Sequence, residues 1–224
     1  MKTGDDLILT QRGNMRRIKP IKYFIDKDHK VMTDYYDFLE SAEGKLMAIE
    51  VIKQMEKFIK IDENFLDPYN EIANMASEAG DSKTEDLYRH LAYLKAIHIV
   101  ADKNGIYPNE MYWGHLENRH IIRALDNYAY YSWDCGRVKI ALEIYRKLLR
   151  SNFNDNIGAR FNILALRMGL KPDYENKFLP KKPPMFGLDA NKISDWFDKN
   201  SIKYPEEFAE YNLYLAKENP DGWD

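Results

Sequence analysis

Residues 122–155, IRALDNYAYYSWDCGRVKIALEIYRKLLRSNFND, decide the fold. Gly136 divides them into two stretches whose apolar residues recur at helical rather than strand spacing. Eight residues before the glycine Tyr128 stands beside Ala129; five after it comes Ala141, then Tyr145 and Leu148. A large apolar residue next to a small one suits helices that cross closely. The segment therefore predicts two antiparallel helices joined at a glycine turn. The same register recurs at Gly80, which Ile72 and Ala73 precede by the same spacing.

Working outward, Asp67-Pro68 opens the helix that stops at Gly80, because a proline in the first turn leaves no intrahelical hydrogen bond unmade. Ser82-Lys83-Thr84-Glu85 reads as a capping box for the next helix, with Leu87, Leu91, Leu94, Ile97 and Val100 expected inward. Upstream, Tyr35, Phe38 and Leu39 mark a short amphipathic stretch. Leu46, Ile49, Val51, Ile52, Met55, Phe58 and Ile59 mark a longer one. Downstream, a helix is expected from Asp155 to Met168, ended by Gly169 and Pro172. Beyond it Lys181-Lys182-Pro183-Pro184 reads as an extended linker. Two shorter helices, Asp189–Ile202 and Pro205–Lys217, then form a C-terminal appendage.

The composition agrees. Of 224 residues 45% are hydrophobic, and the formal charge is −3, which excludes a disordered chain and gives no global attraction to polyanions. A lone cysteine, Cys135, excludes an intrachain disulfide framework and fits a reducing cytosol. No secretory leader or membrane-length apolar run is present, so a cytoplasmic protein without a membrane partner is expected. Residues 1–31 form a basic arm and residues 206–224 an acidic tail; such ends can meet within one chain or between two copies, and a homo-oligomer is compatible with them. The arm contains Tyr23 and Phe24, which makes nucleic-acid binding the rival surface reading. Its charge is local and the repeats are nearly balanced, so a solvated or partner-docking arm is preferred.

The 34-residue unit 122–155 resembles a tetratricopeptide repeat. Stepping along the chain places units at about 32–65, 66–100 and 122–155, with a closing helix at 156–169 and an interruption at 101–121. The turn Leu149-Arg150-Ser151-Asn152-Phe153-Asn154-Asp155-Asn156-x-Gly158-x-Arg160, and the segment Trp113-x-x-Leu116-Glu117-Asn118-Arg119, are similar to a group of bacterial repeat proteins of no assigned activity. Phe153 stands where the family usually has proline. The resemblance implies an all-α, right-handed superhelix of about three hairpins, residues 32–170, followed by the appendage at 171–224. It also implies a peptide or protein partner held in a concave groove lined by the first helix of each hairpin.

Residues off the packing positions of those helices are the groove candidates: Arg123, Asp126, Asn127, Tyr130 and Trp133, with Asn70 and Asn74 from the second unit and Arg160 from the closing helix. Arginines flanking an asparagine suit a carboxylate, and the aromatics would anchor apolar groups. The plainer expectation is that Arg123 and Arg160 pair with acidic neighbours such as Asp126 or Glu143, and that Trp133 is core. His115, Glu117 and His120 do not make a metal site, because the two histidines lie five apart and diverge on a helix. Asn118 is expected to cap the following helix instead. His90 and His98 are two turns apart, too far to chelate one ion, and Cys135 at a helix C-terminus makes a poor nucleophile. No phosphate-binding glycine loop or hydrolase motif occurs, so no catalytic residue, cofactor or metal is expected. The function expected is non-catalytic protein or peptide binding, as an adaptor, scaffold or assembly factor. The alternatives are an enzyme or enzyme subunit with its site between the array and the appendage, and nucleic-acid binding through the basic arm.

Overall fold

A computed structural model describes residues 23–42, 46–102, 104–180 and 187–218. The described residues are all-α: α1 Val31–Ala42, α2 Ala48–Ile61, α3 Asp67–Glu78, α4 Ser82–Val100, α5 Leu116–Asp134, α6 Val138–Ser151, α7 Ala159–Arg167, a 3-10 helix Pro172–Phe178, α8 Ala190–Ser201 and α9 Ala209–Glu218. Among them no strand forms beyond a single bridge between Tyr23 and Glu110. Apart from α4 and α5, which residues 101–115 separate, consecutive helices from α1 to α7 follow one another after short links, and α2–α3, α3–α4, α4–α5, α5–α6 and α6–α7 each pack together, as does α3 with α5. Gly80 and Gly136 carry the two tightest links with φ of 71° and 75°, a left-handed conformation that a side chain would strain.

The packing positions at 122–155 are buried: Tyr128, Ala129, Ala141, Tyr145 and Leu148 join one cluster with Leu66, Tyr69, Ile163 and Leu164. Phe197, Phe208 and Tyr211 from the C-terminal segment belong to that same cluster, while α1 and α2 build a second around Tyr35, Met55, Phe58, Phe65 and Ile72. Alanines 73, 92, 96, 124, 129, 141 and 165 are buried where helices cross, since a short side chain lets backbones approach.

Several expectations are corrected. The cap of α4 is Asp81, whose carboxylate accepts the Thr84 N–H at 3.2 Å and its hydroxyl proton at 2.6 Å, so Ser82 is already helical. The inward face of α4 is Ala92, Ala96 and Val100, with Leu91 and Ile97 partly buried. Leu87 and Leu94 are 54% and 50% exposed, because small residues must occupy the close crossing with α3 and α5. Helix α5 starts at Leu116, so the end of the supposed 101–121 interruption is its first turn, and Asn118 lies inside the helix rather than capping it. Residues 172–178 form a 3-10 helix for which no element was expected, and α9 starts at Ala209, after a turn, rather than at Pro205. The Lys181–Pro184 linker and residues 1–22 of the basic arm lie outside the described residues. Residues 23–30 are docked through Phe24, Asp26 and His29, while Tyr23, Ile25, Lys27, Asp28 and Lys30 stay exposed: Phe24 N–H bonds to Glu110 O at 2.8 Å, and His29 is buried. The acidic tail also finds a different partner, since Glu207 takes a bidentate bond from Arg146 at 2.5 Å while Arg167 contacts Glu206 and Glu207.

Candidate functional site

Helices α3 and α5 position most of the groove candidates. Asp67 lies in the first turn of α3, where the helix dipole favours a carboxylate. It takes both the Nε (2.8 Å) and Nη2 donors of Arg123, and the Tyr36 hydroxyl at 2.9 Å; Arg123 Nη2 also bonds the Tyr36 oxygen at 2.6 Å. Arg123 and Arg119 flank the Trp113 ring at 5.7 and 5.1 Å. The expected acidic partner of Arg123 is thus real but is Asp67, not Asp126 or Glu143. Arg160 is tied to Asp155 at 2.8 Å, and its guanidinium covers Phe161 at 4.0 Å. Trp133 is core: its indole N–H donates to Leu170 O at 3.0 Å and its ring meets Tyr174. These two arginines and the tryptophan therefore leave the roster of free groove groups.

The other candidates have different surroundings. Asn74 and Tyr130 are exposed, and Asn127 and Asp126 half-buried. Asn70 is 5% exposed, yet neither its side-chain nitrogen nor its oxygen has a hydrogen-bond partner. Burial raises the Asp126 carboxyl to about 7, with Glu175 and Asp155 adding to the rise against a Tyr145 hydrogen bond that opposes it. Asp155 rises to about 6 through burial, in spite of Arg160. Burial also lifts Glu175, and it lifts Glu71 with help from Glu78 and Asp67.

A second polar centre was not foreseen. Asp26 Oδ2 lies 2.9 Å from His29 Nε2 and 3.0 Å from His120 Nε2, while His29 Nδ1 lies 2.7 Å from Asp62 Oδ2. Burial disfavours charge at both histidines. At His29 two facing carboxylates outweigh it and raise the pKa; at His120 burial prevails and lowers it. Burial likewise opposes charge on Asp26, but bonds from the two rings hold it well below the usual carboxylate range. One ligand atom each from Asp26, His29 and His120 lie within 4.8 Å of one another, a two-histidine, one-carboxylate set. However, the Leu66 N–H donates to His120 Nδ1 at 3.1 Å, which puts the ring proton on Nε2. That nitrogen offers Asp26 an N–H rather than a metal a lone pair, so the donor set fits a hydrogen-bonded latch better than a cation.

Asn118 completes the latch. Fully buried, it accepts the Asp26 N–H at 3.0 Å and donates to the carbonyls of Phe24 and Tyr112 at 3.1 and 3.2 Å. Arg119 Nε donates to Trp113 O at 3.0 Å, so the Trp113–Arg119 segment shapes this corner. His115 meets the Tyr23 hydroxyl and takes no part with Glu117 and His120 in one cluster. His90 bonds the Tyr128 hydroxyl at 3.1 Å, while His98 and Cys135 are exposed. The only sequence trace of the latch was Asp26 three residues before His29; its other half lies some ninety positions on, beyond any local pattern.

No protein-family model, no curated protein and no solved structure matches the chain. Among the described residues no helix is long and apolar enough to cross a membrane.

Proposed function

We propose that the protein is a non-catalytic adaptor or assembly factor, built as a tetratricopeptide-type array, that receives an extended peptide along the α3–α5 face. The observation that carries this reading is the Asn70 amide. A buried side chain with unpartnered donor and acceptor costs on the order of 1–3 kcal/mol for each lost hydrogen bond, and such a group calls for a partner. A carboxamide offers one donor and one acceptor side by side, the complement of a peptide main chain. Asn74 lies one turn further along α3, and Asn127 and Tyr130 stand on the neighbouring α5, where an aromatic ring supplies apolar contact area.

The test is selection of random dodecapeptides displayed on phage against the immobilised protein, with hits measured as free peptides. A variant carrying Asn74→Ala, Asn127→Ala and Tyr130→Ala should lose at least about ten-fold in affinity, equivalent to about 1.4 kcal/mol. Hits that bind the triple variant as tightly as the parent would refute the reading. Arg123 and Arg160 are poor probes, because their replacement strands Asp67 and Asp155.

A further inference from the structure

Residues 23–30 are held to the helices by contacts of two kinds, and only one kind can titrate. The fixed contacts are the Phe24 N–H on Glu110 O at 2.8 Å and the Asp26 N–H on Asn118 Oδ1 at 3.0 Å. The titratable contact is His29, whose side chain is wholly shielded from water. Its Nε2 lies 2.9 Å from Asp26 Oδ2 and its Nδ1 2.7 Å from Asp62 Oδ2, at the C-terminal end of α2. An ionised carboxylate only accepts, so both ring nitrogens donate and His29 is an imidazolium that ties the segment to α2. Burial opposes charge on both acids, yet the ring bonds hold Asp26 and Asp62 low, so each remains an acceptor. His120 differs: its Nδ1 accepts the Leu66 N–H and its Nε2 serves Asp26, which leaves that ring neutral.

We propose that residues 23–30 are a proton-operated strap, closed on the end of α2 and on α5 while His29 carries two ring protons and opened by the loss of one. A neutral imidazole keeps a single N–H. If it stays on Nε2, the Nδ1 lone pair faces Asp62 and the direct tie to α2 is lost. If it stays on Nδ1, the Nε2 lone pair faces Asp26, and displacement of Asp26 loosens its bond to His120. Either way a lone pair opposes a carboxylate at a ring shielded from water, where that repulsion is poorly screened. Beneath the strap lies Phe65, fully buried, with its ring 5.6 Å from His29 and 5.3 Å from His120. Opening uncovers that ring and frees the Glu110 carbonyl and the Asn118 amide, so the open state presents a surface that the closed one hides.

The groups facing His29 are Asp26 on the strap, Asp62 at the end of α2 and His120 on α5. Lys27 reaches Asp62 from the solvent side at 4.0 Å, and Asp67 in the first turn of α3 bears on His120. Burial opposes a proton on His29, but the two carboxylates outweigh it, so the closed strap keeps that proton above the ordinary value of 6.5. The closed state thus binds the proton more tightly than the open one. Closure is at full strength below pH 6.5 and weakens by up to about ten-fold per pH unit as pH rises to the closed-state value; above that it is constant.

The experiment follows amide hydrogen exchange of the full chain by NMR from pH 6 to pH 9, each rate being divided into that of an unstructured chain at the same pH to give a protection factor. Phe24 and Asp26 report the strap, and buried Leu125 reports global unfolding. The two strap amides should be less protected than Leu125, and their protection should fall at least about three-fold across the range. His29→Gln, which cannot titrate, should remove that fall, and Asp62→Asn, which takes away one of the two carboxylates, should move its onset to lower pH. Imidazole nitrogen shifts at pH 6 should show His29 protonated on both nitrogens and His120 on Nε2 alone. A neutral His29 at pH 6, strap amides that exchange in step with Leu125 at every pH, or an unchanged fall in His29→Gln would overturn the proposal. The ring shifts and the Asp62→Asn comparison decide it even where His29→Gln does not fold, since an onset unmoved by Asp62→Asn would overturn it too.

Discussion

Replacing Asp126 by Asn should stabilise the fold, although it removes a charge from a polar surface. In the folded chain the carboxyl titrates near 7, against 3.8 for an ordinary aspartate, a difference of about 3 pH units. Because the folded value is raised, the unfolded chain ionises first as pH climbs from about 4. The folded state therefore loses stability progressively until about pH 7, and the penalty is constant above that. At 1.36 kcal/mol per unit the full penalty is about 4 kcal/mol. An Asn has nearly the same shape, can still face the Tyr145 hydroxyl and never ionises. Urea unfolding at pH 8, 7, 6 and 5 measures the outcome. The variant should exceed the parent by about 2–4 kcal/mol at pH 8, with the gain shrinking toward zero near pH 4. The wild-type profile also contains Asp155, which titrates near 6, so the difference between the two proteins, rather than either curve, isolates Asp126. A variant that is less stable at pH 8, or whose advantage is the same at pH 5 and 8, would refute the reasoning.

The other centres give further expectations. His29, whose pKa is raised by Asp26 and Asp62 over the opposing effect of burial, contributes stability that is complete below its ordinary value of 6.5. That stability is lost as pH rises through the higher folded value, so His29→Gln should abolish this alkaline loss in a thermal-melt series. Asn118→Ala strands the Asp26 N–H and the carbonyls of Phe24 and Tyr112, and at about 1–3 kcal/mol per buried group should cost about 3–5 kcal/mol in urea titration. Faster hydrogen exchange at residues 23–30 should accompany it. On α4, Ala96→Leu should cost about 1–3 kcal/mol by overpacking, while Leu94→Ala should change stability by less than about 0.5 kcal/mol. The reverse order would return Leu94 to the core.

Much of the helical order was legible because helix pairing leaves local traces. Gly80 and Gly136 adopt the left-handed conformation their positions called for, Pro68 opens α3, and Tyr128, Ala129, Ala141, Tyr145 and Leu148 are buried as their spacing required. Helix faces were less legible. On α4, Leu87 and Leu94 obey a helical period as well as Ala92 and Ala96 do, and hydrophobicity alone ranks leucine first. The close approach of α3 and α5, which only small residues permit, settles it the other way.

By itself, then, the sequence determined that this chain forms short paired helices with a C-terminal addition, because capping, turn glycines and apolar period act within a few residues of one another. It also singled out side chains expected off the packing positions of α3 and α5, of which Trp133 and Asn70 are buried in the fold. Only the tertiary structure decided what those side chains are bonded to. Arg123 finds Asp67 across 56 positions, and His120 finds Asp26 across 94. A charge near the surface keeps or loses its availability according to what packs over it, and that neighbour is set by the folded arrangement of whole helices.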